Sequence, residues 1–100
     1  MAYQLLFSPE ALLDITDTAS YYEEIKKGLG KRFRNELKRK FLLIKVTPMI
    51  YSIRYNHVRT ALLDIFPYSI PFNVLQDKGV IRIHAVLSHY RNPDQFWNDY

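Results

Sequence analysis

The sequence predicts an α+β fold: an N-terminal strand, a two-helix hairpin packed on an antiparallel β-sheet meander, and a short C-terminal helix. Three observations carry that expectation. Apolar residues recur at steps of three and four in two successive segments, one running from Leu12 to Ile25 and one from Leu29 to Ile44. They then alternate at Tyr68, Ile70, Phe72 and Val74, and again at Ile81, Ile83, Ala85 and Leu87, on either side of Asp77-Lys78-Gly79. A hydrophobic fraction of 48% with 24% charged residues and no cysteine describes a chain that folds by packing alone.

The elements follow in chain order. Residues 2–7 mix Tyr, Leu and Phe in a short stretch that reads as a strand. Ser8 is placed to cap a helix, with Pro9 at its first position and Glu10 favoured by the helix dipole. Leu12, Ile15, Ala19, Tyr22 and Ile25 mark the apolar face of that helix, and Gly28-Leu29-Gly30 ends it and reverses the chain. Leu29, Phe33, Leu37, Phe41 and Ile44 mark a second helix, which Thr47-Pro48 should stop because the residue before proline leaves the helical region. Two apolar stripes facing inward require a sheet to receive them.

Residues 50–87 supply it. Ile50 to Tyr55 and Val58 to Phe66 read as strands around a polar break at Asn56-His57, and Pro67 marks a tight connection. The strand from Tyr68 to Val74 contains Pro71, which has no N–H for a ladder; it should lie at an edge, at a bulge, or with its nitrogen facing away from the neighbour. Asp77-Lys78-Gly79 is a hairpin turn, after which Arg82 and His84 share the face opposite Ile81 and Ile83. His84 and His89, five apart, fall on opposite faces if the strand continues. Asn92-Pro93-Asp94 starts the short C-terminal helix, which carries Phe96 and Trp97.

One hundred residues make a single domain, 1–100, burying roughly two-thirds of the surface its unfolded chain exposes. The absence of cysteine excludes a disulfide framework, a thiolate zinc site and a cysteine nucleophile. No apolar run approaches the roughly 20 residues of a membrane helix, and Met1 to Phe7 lacks the basic and long apolar regions of a signal peptide. A cytoplasmic location is expected. The net charge of +4 points to an anionic partner. That charge is polarised along the chain. Glu10 to Glu24 holds five acids and no cation, whereas Lys31 to Lys45 holds seven cations and one acid, Glu36.

Several segments, taken in order, form a recognisable series: Ser8-Pro9-Glu10-Ala11 with Asp14-Ile15, then Tyr21-Tyr22 and Gly28-Leu29-Gly30-Lys31-Arg32-Phe33. Pro48 with Tyr51, Val58-Arg59, Phe66-Pro67-Tyr68 with Ile70, and Ala85-Val86 with His89, Arg91, Asn92 and Pro93 complete it. Together they resemble the RelE/ParE toxin superfamily of type II toxin–antitoxin systems. The resemblance spans residues 8–93 and is more ParE-like than RelE-like. It implies a curved antiparallel sheet carrying a helical hairpin on one side. It also implies a growth-inhibiting toxin neutralised by a cognate antitoxin in a hetero-oligomer, as in plasmid stabilisation. ParE-type members inhibit DNA gyrase; RelE-type members cut messenger RNA on the ribosome.

RNA cleavage through the 2′-hydroxyl needs proton transfer and charge stabilisation around a pentavalent phosphate. RelE-type members supply these from lysines and arginines on the sheet. Here the matching stretch, Thr60 to Ser69, holds one carboxylate, Asp64, and no lysine or arginine, and the later arginine position of the family falls at about His89. Gyrase inhibition therefore ranks first. Should the chain be a nuclease, Arg82, His84, His89 and Arg91 are the catalytic candidates, histidine as acid or base and arginine as phosphate clamp. Arg59, Tyr68, Tyr90, Arg32 and Arg39 are the binding candidates. Each also has an ordinary reading: outward polar residues occur on any half-buried sheet, and a basic helix face is often only solvated. No metal ligand set and no cofactor motif is expected. A degenerate family member retained as a binding module is the third reading.

Overall fold

A computed structural model describes residues 3–89. The predicted C-terminal helix with Phe96 and Trp97 lies outside them, as do the candidates Tyr90 and Arg91. Within them the chain runs through β1 (Gln4–Phe7), α1 (Pro9–Ile25), α2 (Leu29–Val46) and a 3₁₀ turn at Pro48–Ile50. It continues through β2 (Ile53–Tyr55), β3 (Val58–Leu62), β4 (Tyr68–Leu75), a turn at Gln76–Lys78, β5 (Val80–Ile83) and β6 (Leu87–Ser88). The spatial order of the sheet is β1-β5-β4-β3-β2, with β6 also paired to β4. The meander from β2 to β5 is antiparallel throughout, and β1 joins its edge parallel to β5, so the whole sheet is mixed.

Ser8 caps α1 as the sequence suggests, its Oγ accepting the Ala11 N–H at 2.9 Å. The buried stripe of α1 is not quite the one the spacing names. Ala11, Ile15, Ala19 and Tyr22 turn inward, while Leu12 and Ile25 are 54% and 58% exposed. At Ala19 the close approach of α2 dictates a small residue. A side chain on Gly30 would place its Cβ 2.4 Å from the Ala19 carbonyl oxygen, so small residues occupy the crossing. Gly28 supplies the left-handed turn at φ +89°. The Glu23 carboxylate ties the junction, accepting the Gly28 N–H at 2.9 Å and the Gly30 N–H at 3.1 Å.

The stripe of α2 is the one the sequence names: Phe33, Leu37 and Ile44 are buried, and Leu29 and Phe41 pack beside them. They meet Ile70 and Phe72 of β4 and Ile81 and Ile83 of β5, all fully buried. An aromatic cluster closes one end of this core, with Tyr22, Phe33, Phe66 and Tyr68 at centroid separations from 4.9 to 6.2 Å. Edge-on ring packing of this kind adds about 0.5–1.5 kcal/mol per pair beyond area burial.

The predicted alternation from Ile81 to Leu87 breaks, and Pro71 shows why. β4 pairs with Ile83 at Phe72 and with Ser88 at Tyr68, so five steps along one strand match four along the other. The extra residue is a bulge at residues 84–86, opposite Pro71. The His84 N–H donates to the Pro71 carbonyl at 3.0 Å, but proline returns no N–H. The Ser8 hydroxyl takes its place, donating to the His84 carbonyl at 2.6 Å. The Val86 N–H turns to the Asp14 carboxylate at 3.0 Å. Helix α1 thus satisfies the backbone that the sheet leaves open.

Candidate functional site: the open sheet face and the basic helix

The helices cover one side of the sheet. Strand alternation turns Thr60 and Leu62 of β3, Ser69 and Asn73 of β4, and Arg82 of β5 to the other, and His84, just past β5 and opposite Pro71, joins them. The bulge also changes the expectation for His89. The N–H groups of His84 and His89 donate to the carbonyls of Pro71 and Pro67, which are four apart on the neighbouring chain. The one-residue insertion therefore brings both histidines to the same side, where an uninterrupted strand would part them.

His84 is half-buried and oriented. Its Nε2 meets the Asn73 Oδ1, and the Asn73 Nδ2 donates to the His57 carbonyl at 3.1 Å. With the amide nitrogen committed as donor, Oδ1 accepts and the His84 Nε2 carries the hydrogen. Burial first, and the adjacent Arg82 charge second, pull the His84 pKa below its ordinary value. At neutral pH the imidazole is uncharged beside an exposed guanidinium. His57 contributes only its carbonyl, from the turn at Asn56 where φ is +50°.

Other predicted residues lie elsewhere. Arg59 sits opposite Phe72 on the helix side, and its Nη1 donates to the carbonyls of Tyr51 at 2.6 Å and Met49 at 3.3 Å. Its charge fixes the segment after α2 to the sheet. Tyr68 belongs to the aromatic cluster, 5.3 Å from Phe33 between ring centroids. Arg32 and Arg39 are exposed on α2, one turn to either side of Asn35 and Glu36, where they border a shallow cavity of about 290 Å³ floored by Ile65 and Phe66.

Glu36 is the residue the sequence reading passed over. It is 4% exposed, and its carboxylate accepts the N–H groups of Ile65 at 3.0 Å and Phe66 at 3.3 Å. It holds the β3–β4 connection against α2. The available signal was its position: the lone acid in a basic segment, one residue from Leu37 and three from Phe33, on the apolar stripe. Among the described residues no three His, Cys, Asp or Glu converge as a metal site.

Comparison with solved structures places the fold. The chain superimposes on one from the chromosomal ParDE toxin–antitoxin system of P. aeruginosa with a TM-score of 0.73 at 18% identity, covering 85% of this chain and 94% of that one. It superimposes on one from the intact E. coli RelBE toxin–antitoxin complex with a TM-score of 0.69 at 22% identity, covering 90% and 100% respectively. The isolated E. coli RelE toxin matches with a TM-score of 0.69 at 21% identity, over 95% and 93%. No curated protein sequence matches. Residues 5–93, however, match the profile of the ParE toxin of the type II toxin–antitoxin system parDE. The chain belongs to the ParE toxin family.

Proposed function

We propose that this toxin arrests growth by acting on DNA gyrase in the cytoplasm, and that a cognate antitoxin neutralises it. The observation that carries the reading is the chemistry of the open sheet face. Thr60, Leu62 and Ser69 bring no cation to it, Arg59 is committed to two carbonyls on the other side, and Arg82 is the charge that alternation places there. A pentavalent phosphate carries more negative charge than its ground state, and among the described residues of β3 to β5 one exposed arginine is a thin cradle for it. Membership of the ParE family supports the same choice. Among the described residues no helix is long and apolar enough to cross a membrane.

A ribosome-dependent messenger RNA endonuclease is the second reading, favoured by one arrangement: a neutral His84, oriented by Asn73, beside Arg82. Induction in cells, with transcripts and plasmid supercoiling followed together, separates the two. Loss of negative supercoiling with intact transcripts supports gyrase. Codon-phased transcript cuts with normal supercoiling overturn it, and Arg82→Ala or His89→Ala should then relieve toxicity. Unimpaired growth under strong induction would leave a binding module without toxicity.

A further inference from the structure

Past the end of α2, part of the helix side of the sheet stays open. The helix stops at Val46, and the turn Pro48–Ile50 carries Met49 to the margin of the uncovered area. Strand register decides what lies there. Ile53 pairs with Arg59, Arg59 with Phe72, and Val74 with Ile81, so Ile53, Arg59 and Val74 project from the face that carries the core. Together with Met49, His57 and Gln76 they line a solvent-open cavity of about 400 Å³. Small-molecule sites span about 300–1,000 Å³, and this one is large enough to be such a site.

Arg59 gives the cavity its chemistry. Its Nη1 donates to the carbonyls of Tyr51 and Met49, which fixes the plane of the guanidinium. Among the described residues its Nε and Nη2 meet no acceptor, and its charge meets no carboxylate. Those two nitrogens form one edge of the guanidinium, with parallel N–H groups spaced to meet both oxygens of a carboxylate. The anchored side chain has already given up its rotamer freedom, so pairing costs it less entropy than it would a loose surface arginine. None of the residues lining the cavity is acidic. Met49, Ile53 and Val74 make the remaining walls apolar, with no aromatic ring among them.

We infer that this cavity binds a small-molecule aliphatic carboxylate, its two oxygens on the free edge of Arg59 and its hydrocarbon part against Met49, Ile53 and Val74. One fixed positive charge matches one negative charge. A phosphate monoester would bring a second charge against apolar walls, where an uncompensated ion is costly. Acetate would leave the apolar walls in water, and an alcohol would leave Arg59 unpaired. His57 and Gln76, both exposed, offer a ring nitrogen and an amide to a polar substituent on the chain. The site lies on the side of the sheet away from Arg82 and His84, and it stands or falls independently of the gyrase and nuclease readings.

The test titrates the full, isotopically labelled chain with sodium octanoate while NMR follows the methyl signals of Met49, Ile53 and Val74. These three should shift together and saturate, ahead of the exposed methyls of Leu42 and Leu43. Octanol and sodium acetate each lack one half of the ligand and should bind more weakly by about tenfold or more, as should inorganic phosphate. Arg59→Gln removes the charge together with the anchor to Tyr51 and Met49, so a loss of binding there does not separate charge from fold. Gln76→Glu makes that separation, because a carboxylate in the exposed wall competes for Arg59 and leaves its carbonyl contacts in place. It should weaken octanoate by about tenfold or more, while Gln76→Leu binds as the parent does. Octanol binding as well as octanoate, or Gln76→Glu binding as well as the parent, overturns the proposal. So do shifts no larger than those at Leu42 and Leu43, which would mean that octanoate only coats exposed apolar surface.

Discussion

Replacing Ser8 with alanine removes one hydroxyl from two places at once. As an N-cap, Ser8 accepts the Ala11 N–H at 2.9 Å, a contact worth about 1 kcal/mol. As a donor it serves the His84 carbonyl at 2.6 Å, where proline denies the sheet's own N–H. Leaving that part-buried carbonyl unpaired costs about another 1–2 kcal/mol. The sum, about 2–3 kcal/mol, corresponds to a melting temperature lower by roughly 10–20 °C in a chain of this size. Circular dichroism melts and urea unfolding measure it. Ser8→Asp separates the roles, since a carboxylate caps the helix but has no proton to donate; it should recover part of the loss, and Ser8→Thr nearly all. If Ser8→Ala loses no more than an ordinary cap, and Ser8→Asp matches the parent, α1 does not complete the bulge and the reasoning fails.

Three further perturbations probe the frame around the site. Glu36→Ala strands two backbone N–H groups beneath α2 and should cost about 2–4 kcal/mol by urea unfolding, with Glu36→Gln intermediate because its amide oxygen accepts in one position only. Gly30→Ala forces a Cβ against the Ala19 carbonyl and should loosen the hairpin by about 1–3 kcal/mol, whereas Gly28→Ala meets open space and pays only the left-handed backbone, about 1–2 kcal/mol; equal melts with the parent at position 30 would contradict the close crossing. The folded-state pKa of His84 lies below its unfolded value, so the unfolded chain takes up that proton first and stability falls as the pH drops below about 6.5. Urea midpoints at about pH 7.5 and about pH 5.5 should differ more in the parent than in His84→Gln, which keeps a donor for Asn73; an equal difference would remove His84 as the cause.

The order of the elements was legible because it rests on periodicities that a sequence displays directly. Phe33, Leu37 and Ile44 are the helical core their spacing names, and Gly28 is the left-handed turn before α2, although Leu29 and Gly30 already belong to that helix. What periodicity does not display is which neighbour comes close. Leu12 looks more apolar than Ala11, yet Ala11 is buried and Leu12 is 54% exposed, and at Ala19 the crossing admits no side chain on Gly30. Likewise nothing in Gln4–Phe7 states whether that strand joins parallel or antiparallel, since direction is decided by the strand already at the edge. Pro71 announced an edge, a bulge or a nitrogen turned from its neighbour, but neither which of these nor its consequence. Only the paired registers reveal that one inserted residue brings His89 to the side of His84. Arg59 and Glu36 were misweighted for a shared reason. A charged side chain in sequence looks like a surface group, and both are committed to backbone atoms distant in the chain.

The central claim meets its most direct trial with purified components. Relaxed plasmid, gyrase and ATP are mixed with increasing amounts of this protein, and the topoisomers are resolved by electrophoresis. The account predicts that supercoiling stops, and that adding the protein of the neighbouring reading frame restores it. Full supercoiling at a large molar excess of toxin, with programmed ribosomes in a parallel reaction cutting their messenger in codon phase, would contradict it.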